Sequence, residues 1–287
     1  MWPWYDYGGR LSPFKLAVFA ALFLPALWMA CAYGFDLLGA RPLNEAIREI
    51  GLWTLRLVFL ALAVTPLRQI LHWPGLMIVR RMIGVAACAY VLAHLSLYTA
   101  QQAFDLETVA GEIVHRIYLT IGFVALLGLA ALAATSTDGM VRRLGARRWQ
   151  LLHRLVYGIG VLGVVHFWLQ SKLDEWEPTI MAGLLFWLLG YRLLARLLGA
   201  RRGLPLVCVG ALGLAAAIGT GLAEAVYFRL AFGAPLLRVL GADFSLQTGL
   251  RPAAVVLVIA LAVTLAGALR GATARSTRQQ ARITRPA

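Results

Sequence analysis

Charge is scarce in this chain. Of its 287 residues only 14% are Asp, Glu, Lys or Arg, where a soluble domain carries about 25%. Long polar stretches are missing as well, so no separate soluble domain is visible. Acids are scarcer than bases: 13 Asp and Glu face 27 Lys and Arg, a net charge of +14. That surplus is not a nucleic-acid surface, because the basic residues lie between apolar runs and no basic domain has a core of its own. Cysteine is limited to Cys31, Cys88 and Cys208, each inside an apolar run and none in a CxxC pair. This excludes a disulfide framework or an iron–sulfur site as an organising feature. Period-two alternation is absent, which excludes a membrane barrel. What remains is apolar: 61% of the chain is hydrophobic and the mean hydropathy is +0.76. Such a chain cannot cover itself with polar side chains, so its solvent is largely lipid.

A helix needs about 20 apolar residues to cross the hydrocarbon of a bilayer. Eight segments qualify, 13–33, 52–71, 82–101, 117–136, 150–170, 178–198, 204–224 and 252–269. The first is too long for a signal-peptide core and lacks a small-residue cleavage site, so it reads as a retained anchor. Nineteen of the 27 basic residues fall in one alternating set of loops and tails, including Arg68, Arg80 and Arg81, then Arg142 to Arg154, Arg192 to Arg202 and the tail from Arg270. Seven, among them Arg41, Arg116, Lys172 and Arg229, fall in the other set, and Arg56 lies within a span. The positive-inside rule then places both termini in the cytoplasm. The opposite face carries acidic loops, Asp105/Glu107/Glu112 and Asp174/Glu175/Glu177, which read as a solvated face open to a soluble partner. Residues 41–51 read as a short amphipathic segment on the outer surface. The tail 270–287 has no apolar face and reads as disordered chain near anionic lipid.

Histidine is also rare. His72 and His115 fall in loops and suit interfacial roles, whereas His94, His153 and His166 lie inside spans. An ionisable ring facing lipid is expensive, so these three should face the bundle interior and have partners. His94 follows the last cytoplasmic arginine, Arg81, by 13 residues, and His166 follows His153 by 13 residues, about 20 Å at 1.5 Å per residue. His94 and His166 therefore share a depth on the outer side. Two neutral imidazoles facing each other can hold a low-spin haem iron on both axial faces. On an ideal helix His153 and His166 point about 140° apart; Gly158, Gly160 and Gly163 between them could permit a π-bulge or local rewinding. The pattern alone leaves haem, structural histidines and a transporter's proton relay open.

Several segments narrow these alternatives: "VTPLRQ" (64–69), "VRRMIGVAACAYVLAHLSLY" (79–98), "ALAATSTDGMVRRLGARRWQLLHRLVY" (131–157) and "VVHFWLQSK" (164–172). In order and spacing, over roughly residues 11–200, they resemble the haem-binding membrane subunits of the bacterial protein-methionine-sulfoxide reductase system, the MsrQ family. That family lies within the ferric-reductase-like transmembrane superfamily, which also includes the NADPH oxidases.

The resemblance implies an all-α, polytopic membrane bundle with a six-helix ferric-reductase-like core. It implies b-type haem held by His94, His153 and His166. The superfamily carries two histidines on each of spans three and five, one haem per leaflet. Here the position 14 residues before His94 is Arg80, so His153 has no histidine partner and one or two haems are open. Arg80 or Arg81 would instead hold a propionate or a flavin phosphate, or serve as positive-inside anchors. Arg148 and Trp149 would bind a propionate or incoming flavin, or anchor the interface. The family further implies electrons from the quinone pool or a cytoplasmic flavin reductase, FMN as an associated cofactor, and a periplasmic molybdopterin-containing catalytic subunit as acceptor, for repair of oxidised envelope proteins. The chain itself would be an electron-transfer subunit in the bacterial inner membrane rather than the catalytic one. Past residue 200 the resemblance ends. The expected domains are 1–200, a two-helix extension 201–269, and the basic cytoplasmic tail 270–287. A stand-alone ferric or metal reductase-type conduit is the alternative. A transporter is disfavoured because Glu224 is the one acid near a span interior and paired broken-helix signals are absent.

Overall fold

A computed structural model describes residues 4–5, 8–171, 174–243, 245 and 249–283, with side chains up to Thr273. Lys172, Phe244 and the last four residues of the basic tail lie outside them. Among the described residues the chain is helical, with one isolated bridge between Tyr5 and Leu11. Eight helices are long and apolar enough to cross a membrane, so the chain is an all-α polytopic membrane protein. It divides into two compact units, residues 1–62 with 78–170, and residues 63–77 with 171–287.

The first unit begins with α1 (Pro13–Gly34), capped by the Ser12 hydroxyl on the Lys15 amide. Pro25 lies inside this helix, where it removes one hydrogen bond and crowds the preceding turn. The Tyr90 hydroxyl enters the ladder there: it accepts from the Ala26 N–H at 3.1 Å and donates to the Leu22 carbonyl at 2.8 Å. Those two groups would bond each other in an uninterrupted helix, so Tyr90 satisfies both in a medium without water. α2 (Pro42–Ile70) gives this unit its residues up to Leu62. The segment 41–51 is thus no separate surface element. Nothing in it breaks a helix, and it continues directly into the second span.

A 3-10 turn (Pro74–Val79) leads into α3 (Arg80–Gln101), which packs on α1 and on α5 (Ile117–Ala134). The short α4 (Leu106–His115) is capped by Asp105, whose carboxylate accepts from the Glu107 and Thr108 amides. Those bonds and the Thr108 hydroxyl hold the Asp105 carboxyl below its ordinary range. Two short helices, α6 (Asp138–Leu144) and α7 (Ala146–His153), precede α8 (Leu155–Gln170). α5 and α8 share a core of Ala125, Leu132 and Ile159. The expected adjustment between His153 and His166 is a local rewinding rather than a π-bulge, and it does not fall at the glycines. It falls at Arg154, whose N–H bonds Leu151 O and whose carbonyl accepts from Tyr157 N–H. These three-residue closures interrupt the α ladder and uncouple the directions of the two rings.

The second unit holds the end of α2, then α9 (Trp176–Leu197), α10 (Leu206–Phe232), α11 (Leu236–Asp243) and α12 (Pro252–Ile283). α9, expected as the last helix of a six-helix core, packs on α10 and α12. Small residues set the spacing: a Cβ on Gly213 would lie 2.5 Å from that of Ala260, and Val209, Ala217 and Val256 are fully enclosed. Close backbone approach of this kind replaces the hydrophobic drive that helices lack in lipid. Tyr191 accepts the Leu204 N–H at 3.3 Å and donates to Gln69 at 3.1 Å, tying the loop after α9 to the end of α2. The tail does not leave the fold at residue 270, since the α12 backbone remains helical to Ile283.

Candidate functional site

His94 on α3 and His166 on α8 meet inside the first unit. Their ring centroids are 6.4 Å apart and their planes are 85° from parallel. Each ring is fixed the same way. His94 Nδ1 donates to the Ile47 carbonyl of α2 at 2.8 Å, and His166 Nδ1 donates to the Tyr118 carbonyl of α5 at 2.7 Å. A carbonyl can only accept, so the proton of each neutral ring sits on Nδ1 and the lone pair on Nε2. Among the described residues neither Nε2 meets a hydrogen-bond partner.

The rings reach those carbonyls because glycine lies beneath them. Ile47 is four residues before Gly51, and Tyr118 four before Gly122. A Cβ on Gly51 would stand 2.8 Å from Cε1 and Nδ1 of His94, and one on Gly122 would stand 2.7 Å from Nδ1 of His166. Each histidine therefore rests on the bare backbone of a neighbouring helix, bonded to the carbonyl one turn upstream. This is the support that orients a metal-binding imidazole and raises its basicity.

The spacing suits one metal between two rings. Metal–imidazole bonds of about 2.0–2.1 Å, with about 1.2 Å more from nitrogen to ring centre, require centroids about 6.4 Å apart. Among the described residues no group of three or more His, Cys, Asp or Glu could hold a bare metal ion. His94 and His166 would hold a metal that arrives with further ligands of its own. A porphyrin iron meets that demand and the apolar surroundings.

His153 has a different environment. It stacks on Trp149 with centroids 3.8 Å apart, its Nδ1 is 3.1 Å from the Trp149 carbonyl, and its Nε2 is 3.3 Å from the Ser136 hydroxyl. Trp149 Nε1 donates to the Thr135 carbonyl at 2.8 Å, pinning α7 to the Thr135–Thr137 turn. Arg81 pairs with Asp138 at 2.6 Å, holding that carboxyl below its ordinary range. The charge of Arg80 acts on His153, and Arg148 is exposed on α7. Thus the structure brings His94 to His166, and gathers His153, Trp149 and Arg81 around the Thr135–Asp138 turn. It sets no second histidine opposite His153 among the described residues. Sequence reasoning missed Gly51, Gly122 and their carbonyl partners, because single glycines in apolar helices carry no mark of what packs on them.

Residues 50–164, which include His94 and stop just before His166, match a known class, the ferric reductase like transmembrane component. Closer relatives narrow the class. The heme-binding subunit MsrQ of protein-methionine-sulfoxide reductase from Rhodospirillum rubrum is 44% identical over 190 residues, 66% of this chain and 91% of its own length. The same subunit is 42% identical over 190 residues in Azospira oryzae, covering 66% of this chain and 82% of the relative. In Xanthomonas campestris pv. campestris it is 45% identical over 195 residues, covering 66% and 88%. The chain belongs to the MsrQ family. No solved structure matches it.

Proposed function

We propose that this chain binds b-type haem between His94 and His166 and carries electrons across the bacterial inner membrane for a protein-methionine-sulfoxide reductase. The observation that carries the reading is the pair itself: two Nδ1-anchored imidazoles at 6.4 Å. The relatives are named as heme-binding subunits of that reductase, which supports both the cofactor and the partner. Bound haem would supply a one-electron centre, and His94 and His166 would hold its iron. The protein's part is to fix both rings, keep them neutral and exclude water from the iron. Nδ1–H donation to Ile47 O and Tyr118 O performs the first task, and enclosure among apolar helices performs the other two.

The family and the distribution of arginine support the rest. Both termini lie in the cytoplasm. Electrons enter from quinol or a cytoplasmic flavin reductase and leave to a periplasmic molybdopterin-containing catalytic subunit that repairs oxidised envelope proteins. At the cytoplasmic end His153, Arg80, Arg81, Arg148 and Trp149 serve a haem propionate, a second haem or the phosphate of FMN. Cations beside a stacked aromatic pair suit an anionic, ring-bearing group. Of these, Arg80 and Arg148 are the better phosphate ligands, since Arg81 is already paired with Asp138.

The same histidine pair would serve a stand-alone ferric or metal reductase. Deleting the chain distinguishes them. Loss of periplasmic methionine-sulfoxide repair with unchanged ferric reduction at the cell surface is expected. Loss of ferric reduction with repair intact would assign the chain to the other class.

A further inference from the structure

Past α9 the chain contains the only buried acids among the described residues, and they are set together. Glu224 on α10 is 2% exposed and Asp243, the last residue of α11, is 1% exposed. Arg251, just before α12, reaches both: Nη2 donates to Glu224 Oε1, and Nε lies 3.4 Å from Asp243 Oδ1. One guanidinium thus gathers the two carboxyl groups, and each acts electrostatically on the other. The second oxygen of each, Glu224 Oε2 and Asp243 Oδ2, is buried and receives no hydrogen bond among the described residues. The guanidinium is backed by the Phe228 ring at 5.9 Å.

The charges do not balance as drawn. Two carboxylates and one guanidinium leave one negative charge in an apolar setting, and two buried carboxylates gathered on one guanidinium strongly disfavour double ionisation. One proton resolves both defects. It neutralises the set, and it supplies the single O–H donor that the two orphaned oxygens require. We propose that Glu224 and Asp243 bind one proton between them, forming a proton-binding site in the C-terminal helices that Arg251 locks in place. The proton passes between the two carboxyl oxygens with no other bond changed, so the pair titrates as a unit. Glu224, Asp243 and Arg251 are the charged groups that act on one another there. Burial pushes Asp243 up from its ordinary value, in keeping with a retained proton.

Infrared spectra of the full chain at neutral pH, in H2O and in D2O, test this directly. The wild type is expected to display a carboxylic-acid C=O stretch that shifts down in D2O. Glu224→Gln and Asp243→Asn should each abolish it, because the remaining acid then pairs with Arg251 as a carboxylate. Both single variants keep a neutral set and should melt close to the wild type. The double variant strands Arg251 and should melt clearly lower. If a variant does not fold, carboxyl-labelled glutamate and aspartate in the wild type replace it, and both labels must move or broaden the band. A wild type with no such band would overturn the proposal, with a water then donating to two carboxylates. So would a band that survives either substitution or ignores either label. No signal in these spectra depends on His94 or His166, so the outcome stands whether or not the electron-carrying reading holds.

Discussion

The imidazole of His94 lies directly on Gly51: a Cβ at that position would stand 2.8 Å from two ring atoms. Gly122 stands in the same relation to His166. In an unburdened helix Gly→Ala is favourable by about 1 kcal/mol. Here the methyl must push the ring off its carbonyl. Gly51→Ala and Gly122→Ala should therefore fold yet lose most haem or show an altered axial field, read as a shifted low-spin signal in electron paramagnetic resonance. Alanine variants with full haem and an unchanged signal would show that the glycines are mere filler.

His153 stacks on Trp149 and faces Ser136, away from any second histidine among the described residues. His153→Ala should leave the bis-histidine signature of the His94–His166 centre in place. Optical and paramagnetic spectra of the purified variant check this. Disappearance of the signature would make His153 the essential ligand.

Tyr90 fills the gap that Pro25 opens in α1, satisfying one donor and one acceptor. Tyr90→Phe leaves both without that partner, at a cost of about 1–2 kcal/mol. A lowered melting temperature with normal haem content is expected. No change in melting would mean that α1 repairs its own ladder there.

Asp105 caps α4 through its ionised carboxylate, held below its ordinary pKa by Thr108 and two backbone amides. A depressed value gives stabilisation that is complete above the ordinary carboxylate pKa and fades as pH falls through the lowered one. Hydrogen exchange at the Glu107 and Thr108 amides, corrected for intrinsic rates, should stay protected from neutral pH to mild acid and open only below that. Exchange that is insensitive to Asp105→Ala would remove the cap from the account.

The apolar runs made all eight crossings legible, because hydropathy over 20 residues depends on composition alone. The shared depth of His94 and His166 was legible too, since rise per residue is fixed. Rotation was not. Whether His153 and His166 point the same way depends on one peptide at Arg154, and nothing in an arginine announces a 3-10 turn. The glycine supports were hidden because they are contacts between helices distant in sequence. The helical start of α2 at Pro42 and the helical backbone of α12 to Ile283 were misread for a related reason. A polar stretch without breakers stays helical when it continues an apolar helix. Glu224 stood out by sequence as the one acid near a span interior, but its partners Asp243 and Arg251 lie in connections whose approach only the fold determines.

The central claim is most directly tested by haem content and axial ligation in the purified chain. A pyridine haemochrome assay should give at least one b-type haem per chain, with a low-spin bis-imidazole signal. His94→Ala and His166→Ala should each abolish that signal, whereas His115→Ala should not. A colourless wild type, or a bis-imidazole signal that survives both substitutions, would contradict the account.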